Sequence, residues 1–132
     1  LRDFDSNELK QKMQKMKDIV RIVQEQNPKA EIVLEMKEQY KNMKYKLEEV
    51  PFAIEYAEEA IRRANVEVIR KPVRGGTDGA RLSYMGLPTP NIFAGSINFH
   101  SKKEFVPVIA LEKSVETILN LIQIYVEKTL ND

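Results

Sequence analysis

The sequence predicts an α/β protein, and two observations carry the prediction. Residues 1 to 40 read as strand, helix, strand, and residues 51 to 130 read as helix, strand, helix, strand, helix. Alternation of this kind makes small sheets covered by helices, so a layered α/β architecture is the expectation.

The elements follow in chain order. LRDF alternates apolar and charged residues as the middle or end of a strand does, and Leu1 in place of a methionine reads as a piece of a longer protein. Asp5 and Ser6 can cap a helix with Glu8 in its first turn, and Leu9, Met13, Met16, Ile19/Val20 and Val23 recur at helical steps until Asn27-Pro28. The Met13/Met16 pair is expected in the core. In AEIVLEMK, Ala30, Ile32, Leu34 and Met36 share one side while Glu31, Glu35 and Lys37 take the other, the pattern of a half-buried strand. Lys41 to Glu49 is a polar linker. Pro51 suits a first helical turn, with Ile54, Ala57, Ile61 and Ala64 facing inward and Asn65 ending the helix in a left-handed conformation. Val66 to Ile69 is a short strand candidate, a helix is expected from Thr77 or Asp78 to Gly86, and Thr89 to Phe93 is a strand restricted by its proline. The last helix presents Leu111, Val115, Ile118, Ile122 and Tyr125 at steps of four and three, with a poorly capped start near Ala110.

Composition narrows the function. The 132 residues are 42% hydrophobic and 31% charged, with 21 basic and 20 acidic side chains leaving +1. Nothing in that balance calls for nucleic acid or an anionic membrane, and no apolar run approaches the roughly 20 residues that cross a bilayer. A cytoplasmic setting is expected, and the absence of cysteine removes disulfides, thiol redox chemistry and Cys-based zinc sites. The lysines at 41, 44 and 46 beside Tyr40 and Tyr45 are offset by Glu48 and Glu49 and read as solvated.

Two stretches can carry chemistry. RGGTDGARLSYMG, residues 74–86, sets consecutive glycines before a helix start, so that backbone N–H groups and the helix N-terminus could hold an anion with Arg74 beside it. Neither the Walker nor the dinucleotide spacing is present. Two readings stand together here: an anion site, or a tight turn in which Asp78 caps the helix. The only histidine, His100, follows a predicted strand in AGSINFHS, where α/β proteins place ligands. Alone it reads as a surface or hydrogen-bonded histidine, because a zinc site needs three or four ligands.

Taken together, KPVRGGTDGARLSYMGLPTPNIFAG, the NFHSKKEFVPV that follows and the long amphipathic helix after them resemble the C-terminal part of the peptidase T family of di-zinc tripeptide aminopeptidases. LRDFD and EIVLEMKEQYKNMK are similar to that family's lid, or dimerisation, domain as it runs back into the catalytic domain. The resemblance covers essentially the whole chain. It implies the C-terminal part of a three-layer α/β/α zinc-peptidase catalytic domain over residues 47–132, and part of an α+β lid over residues 1–46. It implies an enzyme that removes the N-terminal residue of tripeptides with a metal-activated water, and two zinc ions in the complete protein.

By the same resemblance His100 matches a zinc ligand, and the remaining ligands and the general base belong to residues this chain lacks. Arg2 matches the lid arginine that grips the substrate carboxylate. Gly75, Gly76 and Thr77 match a loop that lines the substrate site with backbone groups, and Arg74 either supports that loop or binds the carboxylate. Asn42 matches the return segment as a contact candidate. No catalytic group is assigned within the chain, which is expected to be inactive by itself. The partners implied are a short peptide and a second copy through the lid. Ser96, Ile97 and Ser101 depart from the residues usual around Asn-Phe-His, and Ile97 leaves substrate preference open. The alternatives are a non-catalytic binding or dimerisation piece, and a related di-zinc amidohydrolase acting on acylated amino acids.

Overall fold

The computed structural model describes residues 1–73 and 75–130. Five helices are formed: α1 Ser6–Gln26, α2 Lys44–Leu47, α3 Pro51–Arg63, α4 Asp78–Tyr84 and α5 Val108–Thr129. α1 begins where its cap predicts, for the Asp5 carboxylate accepts from the N–H groups of Asn7 and Glu8 at 2.7 and 3.1 Å. α3 begins with Pro51 in its first turn and gives way to Asn65 at φ 56°, the left-handed residue the sequence called for. α4 opens on Thr77, whose Oγ1 accepts from the Ala80 N–H at 3.3 Å, so the cap is Thr77 and not Asp78.

The strands are the main correction. Among the described residues none is formed, and the β pairing is one isolated antiparallel bridge between Ile97 and Phe105. The segments expected as strands at 1–4, 30–37, 66–69 and 89–93 carry the right patterns but no neighbouring strand, and a strand exists only where its backbone N–H and C=O groups meet another's. At 30–32 a side chain stands in for that neighbour. The Gln24 carboxamide donates to the Ala30 carbonyl at 2.5 Å and accepts from the Ile32 N–H at 3.0 Å, imitating one peptide unit of a partner. The described chain is mostly helical, and the three-layer sheet architecture is not formed by it.

The core lies between α3 and α5. Ala53, Ala57, Ala60 and Ala64 form a small-residue face, with Ala60 and Ala64 fully buried, and such a face lets a second helix approach closely. Ile124 and Thr117 of α5 fill that space, Thr117 returning its hydroxyl proton to the Lys113 carbonyl at 2.8 Å. Burying Ile124 contributes on the order of 2 kcal/mol. Asn120 Nδ2 reaches the Ala60 carbonyl at 3.4 Å, and Tyr56 meets Tyr125 edge to face with centroids 5.1 Å apart. At the far end the Arg63 fork takes both Glu127 oxygens at 3.0 and 2.7 Å while Nη2 also reaches Glu59 at 2.5 Å.

This packing uses another face of α5 than most of the Leu111 to Tyr125 series, of which only Tyr125 reaches α3, at Tyr56. Leu111, Val115, Ile118 and Ile122 are 51%, 56%, 46% and 57% exposed. α5 is apolar on both sides, and α3 can cover only one of them, so the broader stripe is left to solvent. A helix of that composition belongs inside a larger core. α5 also begins at Val108 after Pro107, which offers no side-chain cap, in keeping with the weak start foreseen. α1 buries no residue at all, so Met13 and Met16 lie half-exposed on its surface and form no core. The polar linker contains α2, whose Leu47 is buried where α2 packs with α3 and α4. None of the described helices is long and apolar enough to cross a membrane.

Candidate functional site

Asn42 ties three parts of the chain together. Its Nδ2 donates to the Phe4 carbonyl at 2.8 Å, its Oδ1 accepts from the Lys44 N–H at 3.0 Å, and its own carbonyl accepts from the Tyr84 hydroxyl at 3.0 Å. The N-terminal segment bearing Arg2, the start of α2 and the end of α4 therefore meet at one asparagine. Arg2 is exposed and its carbonyl takes Lys12 Nζ at 3.4 Å, while Lys12 also pairs with Asp3. That ammonium holds the Asp3 carboxyl below its ordinary value.

The glycine loop joins the same neighbourhood through Tyr40. A Cβ added at Gly76 would collide with the Tyr40 ring, whereas one at Gly75 would meet nothing within 4 Å. A side chain at Gly76 would therefore have to displace the Tyr40 ring, whereas no contact calls for glycine at Gly75. Thr77 caps α4 and accepts from Asn91 Nδ2 at 3.2 Å, which brings residues 89–91 alongside. At Gly79 a side chain would strike the Thr89 carbonyl, and the buried Ser83 hydroxyl donates to Gly79 O at 2.7 Å while accepting from the Thr89 N–H at 3.0 Å. Arg74 lies outside the described residues. The nearby lysines are occupied: Lys46 pairs with Glu49 at 2.7 Å, Lys44 with Glu48 at 3.6 Å, and Lys41 with Glu38 at 3.6 Å and the Tyr84 ring at 5.6 Å.

His100 stands on a separate support. The Ile97–Phe105 bridge, with N···O distances of 2.9 and 3.2 Å, closes a hairpin at whose tip Asn98 and His100 both take positive φ, 59° and 62°. Asparagine tolerates that conformation; for histidine it is uncommon and must be held by neighbours. Holding comes from within the loop. Asn98 Nδ2 reaches the Lys103 carbonyl at 3.3 Å, Ser101 Oγ accepts from the Lys103 N–H at 3.1 Å, and Glu104 accepts from Ser96 Oγ and from the His100 N–H at 3.2 and 3.0 Å. Two of the three residues singled out around Asn-Phe-His, Ser96 and Ser101, are thus built into the turn. Ile97, the third, supplies the bridge through its backbone and leaves its side chain 45% exposed. The hairpin is seated on α5, for a Cβ at Gly95 would meet that of Ala110 and Ser114 Oγ donates to the Phe93 carbonyl at 3.3 Å.

The His100 side chain is exposed and its imidazole makes no hydrogen bond among the described residues. It is a donor of the right type for zinc, but a single one. No group of three His, Cys, Asp or Glu side chains able to hold a metal ion is found among the described residues, so this chain alone does not fit the metal. The structure brings Asn42, the Phe4 carbonyl two residues after Arg2 and, through Tyr40, the Gly76–Thr77 turn into one neighbourhood, and no hydrogen bond or ion pair among the described residues joins His100 to it. Sequence reasoning missed Tyr40, Asn91 and Glu104. Only Glu104 had a readable signal, an acid four residues after a histidine inside a short polar turn.

Comparison with known proteins places this arrangement. No protein-family model matches the chain. A peptidase T of Clostridium acetobutylicum is 44% identical over 128 residues, which is 97% of this chain and 31% of that protein. One of Clostridium perfringens is 45% identical over the same length, with 97% and 32% covered, and one of Clostridium botulinum is 40% identical, with 97% and 31% covered. The chain is a homologue of peptidase T. It spans about a third of the length of these relatives.

Proposed function

We propose that this chain is the C-terminal part of a zinc-dependent tripeptide aminopeptidase. The observation that carries the reading is the peptidase T homology along 97% of the chain, with the glycine turn and Asn-Phe-His100 both within it. Residues 47–132 would complete a three-layer catalytic domain whose sheet is supplied by the rest of the protein, and residues 1–46 a lid through which two copies pair. The uncovered stripe of α5 and the partnerless alternation of residues 30–37 support that division.

In this reading the residues of the chain bind and orient. His100 supplies one ligand to a pair of zinc ions held mainly by groups outside the chain. Arg2 pairs with the peptide's C-terminal carboxylate through its guanidinium fork. Gly75 and Gly76 offer backbone groups to the peptide, with Thr77 fixing the α4 terminus behind them and Arg74 beside them, while Asn42 sets the spacing between Arg2 and that turn. A cytoplasmic setting goes with this role. The chain alone carries no tripeptidase activity.

The test is a chimera in which this chain replaces the matching segment of the Clostridium acetobutylicum peptidase T. It is expected to hydrolyse tripeptides, to lose that activity to a chelator, and to lose more than about 100-fold on His100→Ala, since a metal centre contributes several kcal/mol of transition-state stabilisation. A folded chimera that hydrolyses tripeptides equally well with His100→Ala overturns the ligand role. A folded, metal-replete chimera without tripeptidase activity overturns the assignment.

A further inference from the structure

We infer that Glu104 is a positioning residue for His100, a group that braces the histidine's backbone in the left-handed conformation of its turn. The inference rests on His100 being a functional residue, and its own argument is geometric. A histidine at φ 62° is in a region L side chains seldom occupy, at a cost of about 1–3 kcal/mol, so something must hold it there. The bridge at Ile97 and Phe105 fixes the two ends of the hairpin, but neither of its hydrogen bonds touches His100. The Asn98 carbonyl accepts from the Ser101 N–H at 3.1 Å and closes a turn in which His100 is the third residue, and the Asn98 and Ser101 side chains both bond Lys103. The only bond among the described residues to the His100 N–H is the Glu104 carboxylate, at 3.0 Å.

That carboxylate is itself anchored. Its other oxygen accepts from Ser96 Oγ at 3.2 Å on the opposite limb, and its own N–H donates to the Ser101 carbonyl at 3.2 Å. Glu104 thus spans the hairpin from one limb to the tip with both oxygens committed, and each is a charge-assisted bond, the stronger kind. The consequence is a division of labour inside five residues. Glu104 binds the backbone of His100 and leaves the imidazole uncommitted and exposed, free to serve a ligand. Ser96 takes part as the strut that keeps the carboxylate in place.

The experiment uses the whole 132-residue chain and amide hydrogen exchange with 15N NMR. Glu104→Ala is expected to speed exchange at the His100 amide by roughly tenfold or more, the scale of one charge-assisted bond, and to move the amide resonances of residues 95–105 while those of α3 and α5 stay in place. Glu104→Gln retains an oxygen that can accept from the His100 N–H and is expected to recover most of the protection. Ser96→Ala should show a smaller effect in the same direction. Unchanged protection at His100 in Glu104→Ala contradicts the inference, as does equal loss in Glu104→Ala and Glu104→Gln. If the alanine variant loosens the entire chain, the serine and glutamine variants decide by the same criteria. In the chimera described above, Glu104→Ala should weaken zinc retention against a chelator by about 10-fold or more, with Glu104→Gln restoring it. A chimera whose zinc retention ignores His100→Ala removes the ligand reading, whereas one sensitive to His100→Ala but indifferent to Glu104→Ala removes only the positioning role.

Discussion

α1 and α5 are nearly equal in length, 21 and 22 residues, and are built on opposite terms. α5 buries Thr117 and Ile124 against the alanines of α3 and locks its end through Arg63 and Glu127, and it still has an apolar stripe to spare. α1 buries nothing and is held at its start, by the Asp5 cap and the Ser6 N–H on the Tyr45 hydroxyl at 3.3 Å. The contrast separates a part of the chain that is stable by its own packing from a part that stands as an arm.

The comparison can be broken most forcefully at the helix pair. Ile124→Ala should cost about 2–5 kcal/mol and lower the thermal midpoint of the chain, whereas Ile19→Ala on α1 should stay within about 0.5 kcal/mol. Equal effects in a melt followed by circular dichroism would remove the distinction. Asp5→Ala should cost about 1 kcal/mol, felt as faster amide exchange in the first turns of α1 with α3 and α5 unaffected.

Acid provides a gentler probe. The Arg70 guanidinium, with Arg62 behind it, holds the largely buried Glu58 carboxyl below its ordinary value, and Arg63 does the same for Glu127. A carboxyl depressed in the folded state contributes stability that is present above its unfolded pKa and is lost as pH falls through the folded one. The α3–α5 pair should therefore weaken as pH drops below 4.5, the ordinary glutamate value. Glu58→Gln should flatten that decline in pH-dependent melts; a slope identical to that of the parent would contradict the assignment. The smallest effect is expected at Val115→Lys on the open stripe of α5, which should change the isolated chain's stability by less than about 0.5 kcal/mol yet impair assembly of the chimera.

The same contrast explains how far the sequence could be read. Helix ends were legible because their causes are local: the Asp5 carboxylate, Pro51 in a first turn, Asn65 at positive φ. Strands were not, because Ala30 to Lys37 has the alternation of a strand but meets no second strand among the described residues. The spacing in α5 did not say which of its faces packs inward. Leu111, Val115, Ile118 and Ile122 form its most apolar stripe, but α3 offers an alanine face that accepts Thr117 and Ile124. Of the site, the glycine turn and His100 were visible as unusual residues. The joining role of Asn42 and the support from Tyr40 and Glu104 were not, because each depends on contacts that only folding creates.

The most direct measurement is tripeptide hydrolysis by three samples at equal zinc: the 132-residue chain, the complementary two thirds of the Clostridium acetobutylicum peptidase T, and the two mixed. The account predicts activity only in the mixture, with α5 protected from exchange on assembly. Metal-dependent hydrolysis by the chain alone, or a mixed complex that forms and remains inactive with zinc bound, would contradict it.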